Sequence, residues 1–136
     1  MPESSPEVDK MDTRKDFGFY AETVATHYLQ QKNYTILERN YRKPWGEIDI
    51  IAQYEDIIVF VEVKANTKDY GMAFNPEVRV DQKKLGKIIK TASLYLEFEL
   101  KELEHEWRID IVSVTIQEGT QKAKITHFKN IAESFF

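Results

Sequence analysis

GEIDIIAQYEDIIVFVEVK, residues 46–64, holds two apolar runs with the turn-prone Tyr54-Glu55-Asp56 between them. Runs of this length, rich in Ile and Val and broken by a polar turn, predict a β-hairpin. Side chains in a strand alternate faces. In GEIDIIA, Asp49 then shares a face with Glu47 and Ile51, and Ile48, Ile50 and Ala52 take the other. In IIVFVEVK, Glu62 and Lys64 share a face with Ile58 and Phe60, opposite Ile57, Val59, Val61 and Val63. Both strands are apolar enough to be interior, yet each carries an acid near one end.

Working outward, Tyr34 to Tyr41 reads as a preceding strand, which completes an antiparallel meander. Before it, Phe17, Tyr20, Ala21, Val24, Ala25, Tyr28 and Leu29 recur at helical spacing, with Asp16 as N-cap and Asn33 near the end. Asn66 to Pro76 reads as a polar loop, and a second helix is predicted from about Glu77 into the nineties. Its buried stripe is Leu85, Ile88, Ile89, Ala92, Tyr95 and Leu96. Trp107 to Ile116 alternates like a half-buried strand, and Ala123 to Phe128 adds an edge strand. The order αβββαβ(β) implies an α/β sandwich with a central mixed sheet. Residues 1–16, rich in Ser, Pro and charge, read as a flexible leader, and 17–136 as a single domain.

Composition sets bounds. A chain of 136 residues, 42% hydrophobic and 31% charged, can bury a core without covalent staples. With no cysteine, a disulfide framework, a thiolate zinc site and a cysteine nucleophile are excluded, and a reducing cytoplasmic location fits. The start of the chain lacks the apolar core of a secretory signal, and no apolar run is long enough to span a bilayer, so no membrane role is expected. The net charge of −4 argues at first against a nucleic-acid partner. Its acidic excess, however, sits in residues 1–16 and 97–106, and the rest is net +2. Bulk charge is therefore no veto on a locally basic face.

An acid inside an apolar strand costs several kcal/mol if it stays unpaired. If the hairpin sets Asp49 beside Glu62, their repulsion strengthens the need for a cation. A hard divalent ion with oxygen ligands, Mg²⁺ or Mn²⁺, meets it. Lys64 then neutralises part of the charge and points at an attacking water or a phosphate oxygen. Glu22 falls at the edge of the first helix's apolar arc, beside the small Gly18, where it can reach over the end of the sheet. The bland alternative is that Glu62 and Lys64 form a surface ion pair worth less than about 1 kcal/mol.

The thirteen-residue-spaced Asp49…Glu62-Val63-Lys64 matches the D…ExK signature of the PD-(D/E)xK nuclease superfamily. The wider string resembles the YraN-like family of bacterial proteins, which is similar to archaeal Holliday-junction resolvases. GFYAETVATHYL (18–29), ILERNYR (36–42), GEIDIIA (46–52), VFVEVK (59–64), the segment from Val80 to Leu96 and WRIDIVSV (107–114) carry the resemblance. It implies a restriction-endonuclease-like fold. It further implies that Asp49 and Glu62 bind the metal with the carbonyl of Val63, that Glu22 is an outer acid of the metal site, and that Lys64 stabilises charge at phosphorus. Lys84, Arg39 and Arg42 match basic residues that contact nucleic acid. The family's VEVK-x-Arg has Asn66 at its last position here. Resolvases work in pairs, so a homodimer is expected by analogy.

Other residues read more plainly. Lys83, Lys87 and Lys90 are predicted on a solvated helix face, while Lys84 flanks the buried stripe. Arg39 and Arg42, three apart on a flat strand, face opposite sides. Trp45 reads as a hydrophobic plug in a turn, or as a base-stacking residue. His27, His105 and His127 lack ligand spacing. Asp110 is expected to pair with a base such as Arg108, and Phe135-Phe136 to dock on the core or a partner. The leading expectation is a metal-dependent endonuclease acting on DNA, with branched and single-stranded forms among its substrates. Set against it are a nucleic-acid-binding module without the reaction and a protein–protein adaptor with a structural ion-pair cluster.

Overall fold

A computed structural model describes residues 13–66, 82–101, 105–116 and 122–133. Helix α1 spans Thr13–Gln31, followed by strands β1 (Thr35–Lys43), β2 (Gly46–Tyr54) and β3 (Ile57–Asn66). Helix α2 (Gln82–Leu94) runs on into a π-helical turn, Tyr95–Leu100, before strands β4 (Glu106–Ile116) and β5 (Ala123–Phe128). This is the predicted order, on a five-stranded sheet β1-β2-β3-β4-β5 in which only β3 and β4 run parallel. A parallel pair needs a crossover, and α2 supplies it. Of the loop predicted over Asn66 to Pro76, Asn66 instead ends β3; the rest of it, most of the leader, the expected helix start at Glu77 and Phe135-Phe136 lie outside the described residues.

The helices cover opposite faces. Ala21, Ala25 and Leu29 of α1 pack on Ile50, Ala52, Val59, Val61, Val112 and Val114. Leu85, Ile88 and Ala92 of α2, with Tyr95 and Leu96, pack on Ile48, Ile51, Ile58, Phe60 and Ile109. β3 is central and buried on both faces, which is why its sequence is an unbroken apolar run instead of an alternation. α1 ends where expected: Asn33 takes a left-handed conformation (φ 74°), and the Tyr34 N–H closes back onto the Leu29 carbonyl at 3.0 Å. Among the described residues no helix is long and apolar enough to cross a membrane.

Several expectations need correction. α1 begins at Thr13, so Asp16 lies inside its first turn, where a carboxylate complements the helix dipole without acting as the N-cap. Tyr20, placed in the buried stripe by its spacing, is 43% exposed. Trp45, read as a plug or a base-stacking residue, is likewise 43% exposed. Ile48 belongs to the core under α2 with Ile51, not with Ile50 and Ala52. The two-residue alternation of β2 thus slips by one between Ile48 and Ile50, around Asp49.

Gly46 opens β2 against α2. A Cβ there would lie 2.2 Å from the Thr91 hydroxyl, which is itself buried and donates to the Lys87 carbonyl at 2.8 Å. Gly46→Ala should cost about 1–3 kcal/mol by overpacking. Combined with Thr91→Ala it should cost less than the two single changes summed, as urea unfolding of the four proteins will read.

Candidate active site

The slip at Asp49 has a structural origin. Pairing of β2 with β3 runs from Tyr54↔Ile57 to Ile50↔Val61 and goes no further, while β3 stays paired with β4 as far as Asn66↔Thr115. β2 therefore leaves β3 at Asp49. On its other side, pairing with β1 passes from Arg39↔Ile50 to Tyr41↔Ile48, and between them Asn40 is left-handed (φ 54°). Asparagine is among the few residues that adopt this conformation readily. β1 and β2 thus turn their faces over at the same level.

At this fork the Val63 N–H donates to Asp49 Oδ2 at 2.8 Å. Asp49 is largely withdrawn from solvent, and its carboxyl is pushed up to about 7, first by that burial and then by the negative charge of Glu62. The Val63 hydrogen bond and the Lys84 charge oppose the rise, and Glu22 adds to it. The three predicted acids therefore act on one another in space. Glu62 exposes only 11% of its side chain, and Lys64 Nζ lies 3.5 Å from its Oε2. That is not a solvated surface pair. Burial lowers the Lys64 ammonium below its ordinary value, against the pull of Glu62.

Cations reach the cluster from both layers. From α2, Lys84 forms an ion pair with Glu62 Oε2. Partial burial works against the Lys84 charge, but the hydrogen bond and charge of Glu62 hold its value above the usual range. From β1, Arg39 lies 3.3 Å from Glu22 Oε1 and donates to the Thr23 hydroxyl at 3.1 Å. Burial raises the Glu22 carboxyl, and Arg39 resists that rise. Arg42 pairs with Glu47 at 3.2 Å and donates to Asn40 at 2.9 Å. Asn66 donates to the Ser113 hydroxyl at 3.1 Å.

An open cavity of about 540 Å³ faces solvent here, bordered by Gly18, Phe19 and Glu22 of α1, Arg39, Asn40 and Arg42 of β1, Asp49 of β2, and Val63 and Ala65 of β3. Arg39 and Arg42 thus share one rim, which corrects the expectation that they face opposite sides. The left-handed Asn40 between them is the reason, and it was the only local signal in the sequence. Lys83, Lys87 and Lys90 are exposed on α2 as expected.

The donor set suits a hard divalent ion. Among the described residues no three acids or histidines converge into a ready-made ion cage. Asp49 and Glu62 supply two oxygen-bearing groups beside the Val63 main chain, and Glu22, tied to Arg39, borders the same cavity as Asp49. Mg²⁺ is commonly held by one or two carboxylates, with water and phosphate filling the remaining positions.

A second polar cluster was not legible in sequence. Asp110 is fully buried on β4. It accepts from Arg108 Nε (3.0 Å) and the Asn130 N–H (2.9 Å), and its Oδ2 lies 2.7 Å from His127 Nε2. Arg108 was expected, but His127 comes from β5. The opposite His127 nitrogen meets the Tyr28 hydroxyl at 3.0 Å, and Arg108 also donates to the Tyr34 hydroxyl at 2.8 Å. The cluster satisfies a buried charge by joining α1, β4 and β5, and it does not border the cavity.

The sequence profile of the family described as "Uncharacterised protein family UPF0102" matches residues 21–114. The chain is 43% identical over 116 residues to a UPF0102 protein of Fervidobacterium nodosum, covering 85% of this chain and 80% of the relative. It is 38% identical to UPF0102 proteins of Campylobacter hominis and of Syntrophomonas wolfei, over 85% of this chain and 93% and 96% of theirs.

Asp49 carries a sign that can be measured. Its folded value, about 7, lies above the ordinary 3.8, so the folded protein keeps a proton that the unfolded chain has already lost. This group's contribution to stability is therefore present at low pH and declines as pH rises from about 4 to about 7. Asp49→Asn, which keeps the acceptor for Val63, should raise the Tm. That gain should grow between about pH 5 and about pH 8 in thermal unfolding.

Proposed function

The chain belongs to the UPF0102 family, and we propose that it is a metal-dependent phosphodiester hydrolase acting on DNA. One observation carries this reading: Asp49, at the strand fork, feels the charge of both Glu62 on β3 and Glu22 on α1, and with Glu22 it borders a cavity rimmed by Arg39 and Arg42. Like charges are not gathered at a half-buried strand end for stability, since each raises the cost of the next. A PD-(D/E)xK-type site explains the arrangement, and the D…ExK spacing of the sequence supports it.

In this reading Asp49 and Glu62 hold Mg²⁺ or Mn²⁺, with the Val63 carbonyl as a further donor and Glu22 as an outer acid. The bound ion supplies positive charge for the phosphate oxygens and lowers the pKa of a bound water. Lys64, whose pKa burial lowers against the pull of Glu62, orients the attacking water and offsets charge developing on phosphorus. Lys84, on the α2 side of Glu62, adds a second positive charge. Arg39 and Arg42 hold the DNA backbone along the cavity rim by charge-assisted hydrogen bonds.

A second reading, binding without hydrolysis, is favoured by the way Lys84 and Lys64 already balance Glu62 and by the engagement of Asn66 with Ser113. The two separate on one experiment. The protein incubated with linear, supercoiled, single-stranded and branched DNA plus Mg²⁺ or Mn²⁺ should cut at least one form. Asp49→Ala and Glu62→Ala should each reduce the rate about 100-fold or more. Mn²⁺ at a hundred times its Kd should also stabilise the wild type by about 2.7 kcal/mol, and the variants less. Cutting that persists in both variants removes the assignment, and salt-dependent binding with no cutting selects the second reading.

A further inference from the structure

Phe19 is 67% exposed, and Tyr20 beside it 43%. Single exposed aromatics are ordinary on a protein surface, and position is what distinguishes this one. Phe19 borders the same cavity as Asp49 and Glu22. It precedes Glu22 by three residues on α1, so the ring and the outer acid lie on one helix face a turn apart. The Arg39 guanidinium lies 5.6 Å from the ring centroid and is itself held by Glu22 and Thr23. A cation fixed against a ring in this way presents a flat, π-rich surface with a positive edge. Gly18 borders the same cavity, and a Cβ added there would meet nothing within 4 Å.

We propose that Phe19, backed by Arg39, is a stacking platform for an unpaired nucleobase. It would make single-stranded and flapped DNA, not intact duplex, the substrate class of the carboxylate site. The proposal rests on the reading of that site as a phosphodiester site, and names what it selects. Aromatic rings bind any base by its π-face, without regard to sequence. Inside a duplex both faces of a base are covered by its neighbours, so only an unpaired nucleotide can offer one. Arg39 and Arg42, on the same rim, supply the positive charge that its flanking phosphates need. Stacking next to the carboxylates would bring the adjoining phosphodiester to the fork.

The test is a binding measurement that does not depend on hydrolysis. The full chain, in EDTA and low salt, is titrated into a single-stranded oligonucleotide carrying a fluorescent adenine analogue and into the matching duplex. The wild type should bind the single strand more tightly and quench the analogue. Phe19→Ala and Phe19→Leu should each weaken single-strand binding about tenfold with duplex binding unchanged, whereas Phe19→Trp should retain it. Gly18→Leu, which adds bulk at the cavity border, should weaken it as well. An unchanged single-strand-to-duplex ratio in Phe19→Ala and Phe19→Leu overturns the proposal, even if Asp49-dependent cutting is found. An equal loss on both DNAs leaves that ratio unchanged and counts the same way. If the ratio shifts as expected and no metal-dependent cutting occurs, the platform stands and the hydrolytic reading falls.

Discussion

The strand fork at Asp49 is the constraint on which the rest of the structure turns. β2 and β3 are hydrogen-bonded up to Ile50 and Val61, and beyond that point β3 pairs with β4 alone. A main-chain donor at the mouth of the fork is met by a side chain, Asp49 accepting from Val63. That bond holds a carboxylate where the sheet is otherwise dry. Its position, together with Glu62 on the adjoining strand, leaves the fork with more negative charge than burial tolerates.

Both layers of the sandwich respond to that charge. α2 brings Lys84 to Glu62, and β1 brings Arg39 to Glu22 on α1, so the helices are tied electrostatically as well as by packing to the same end of the sheet. The apolar faces cannot specify this on their own, because hydrophobic contact is non-directional. They bring α1 and α2 onto the sheet, and the ion pairs converge where the acids are. The Asp110 cluster plays the purely structural counterpart, every charged partner satisfied within the fold and none turned to the cavity.

Most of the architecture was legible because it follows from patterns within single segments. The hairpin of 46–64, the strand at 107–116, the α2 stripe and the left-handed Asn33 ending α1 all rest on neighbours a few residues apart. The misses within the sheet share a cause. Ile48 was put on the wrong face, and Arg39 and Arg42 on opposite sides, because strict alternation assumes an even strand. Asn40 and Asp49 break that regularity together, each on a different strand. Tyr20 fitted the helical period and is nonetheless 43% exposed.

The amino-acid order alone determined which residues are acidic, which are apolar and how they repeat, and hence the αβββαβ(β) arrangement and the candidacy of Asp49, Glu62, Lys64 and Glu22. Only the tertiary structure decided that Arg39 joins Glu22 and Arg42 on one rim, that Lys84 reaches Glu62, that His127 completes Asp110 and that Phe19 stands open beside the cavity. Periodicity is a property of one segment and survives being written as a line. Partnership between charges depends on where separate segments are brought by burial, and on local breaks in strand geometry whose effect appears only when two strands are paired.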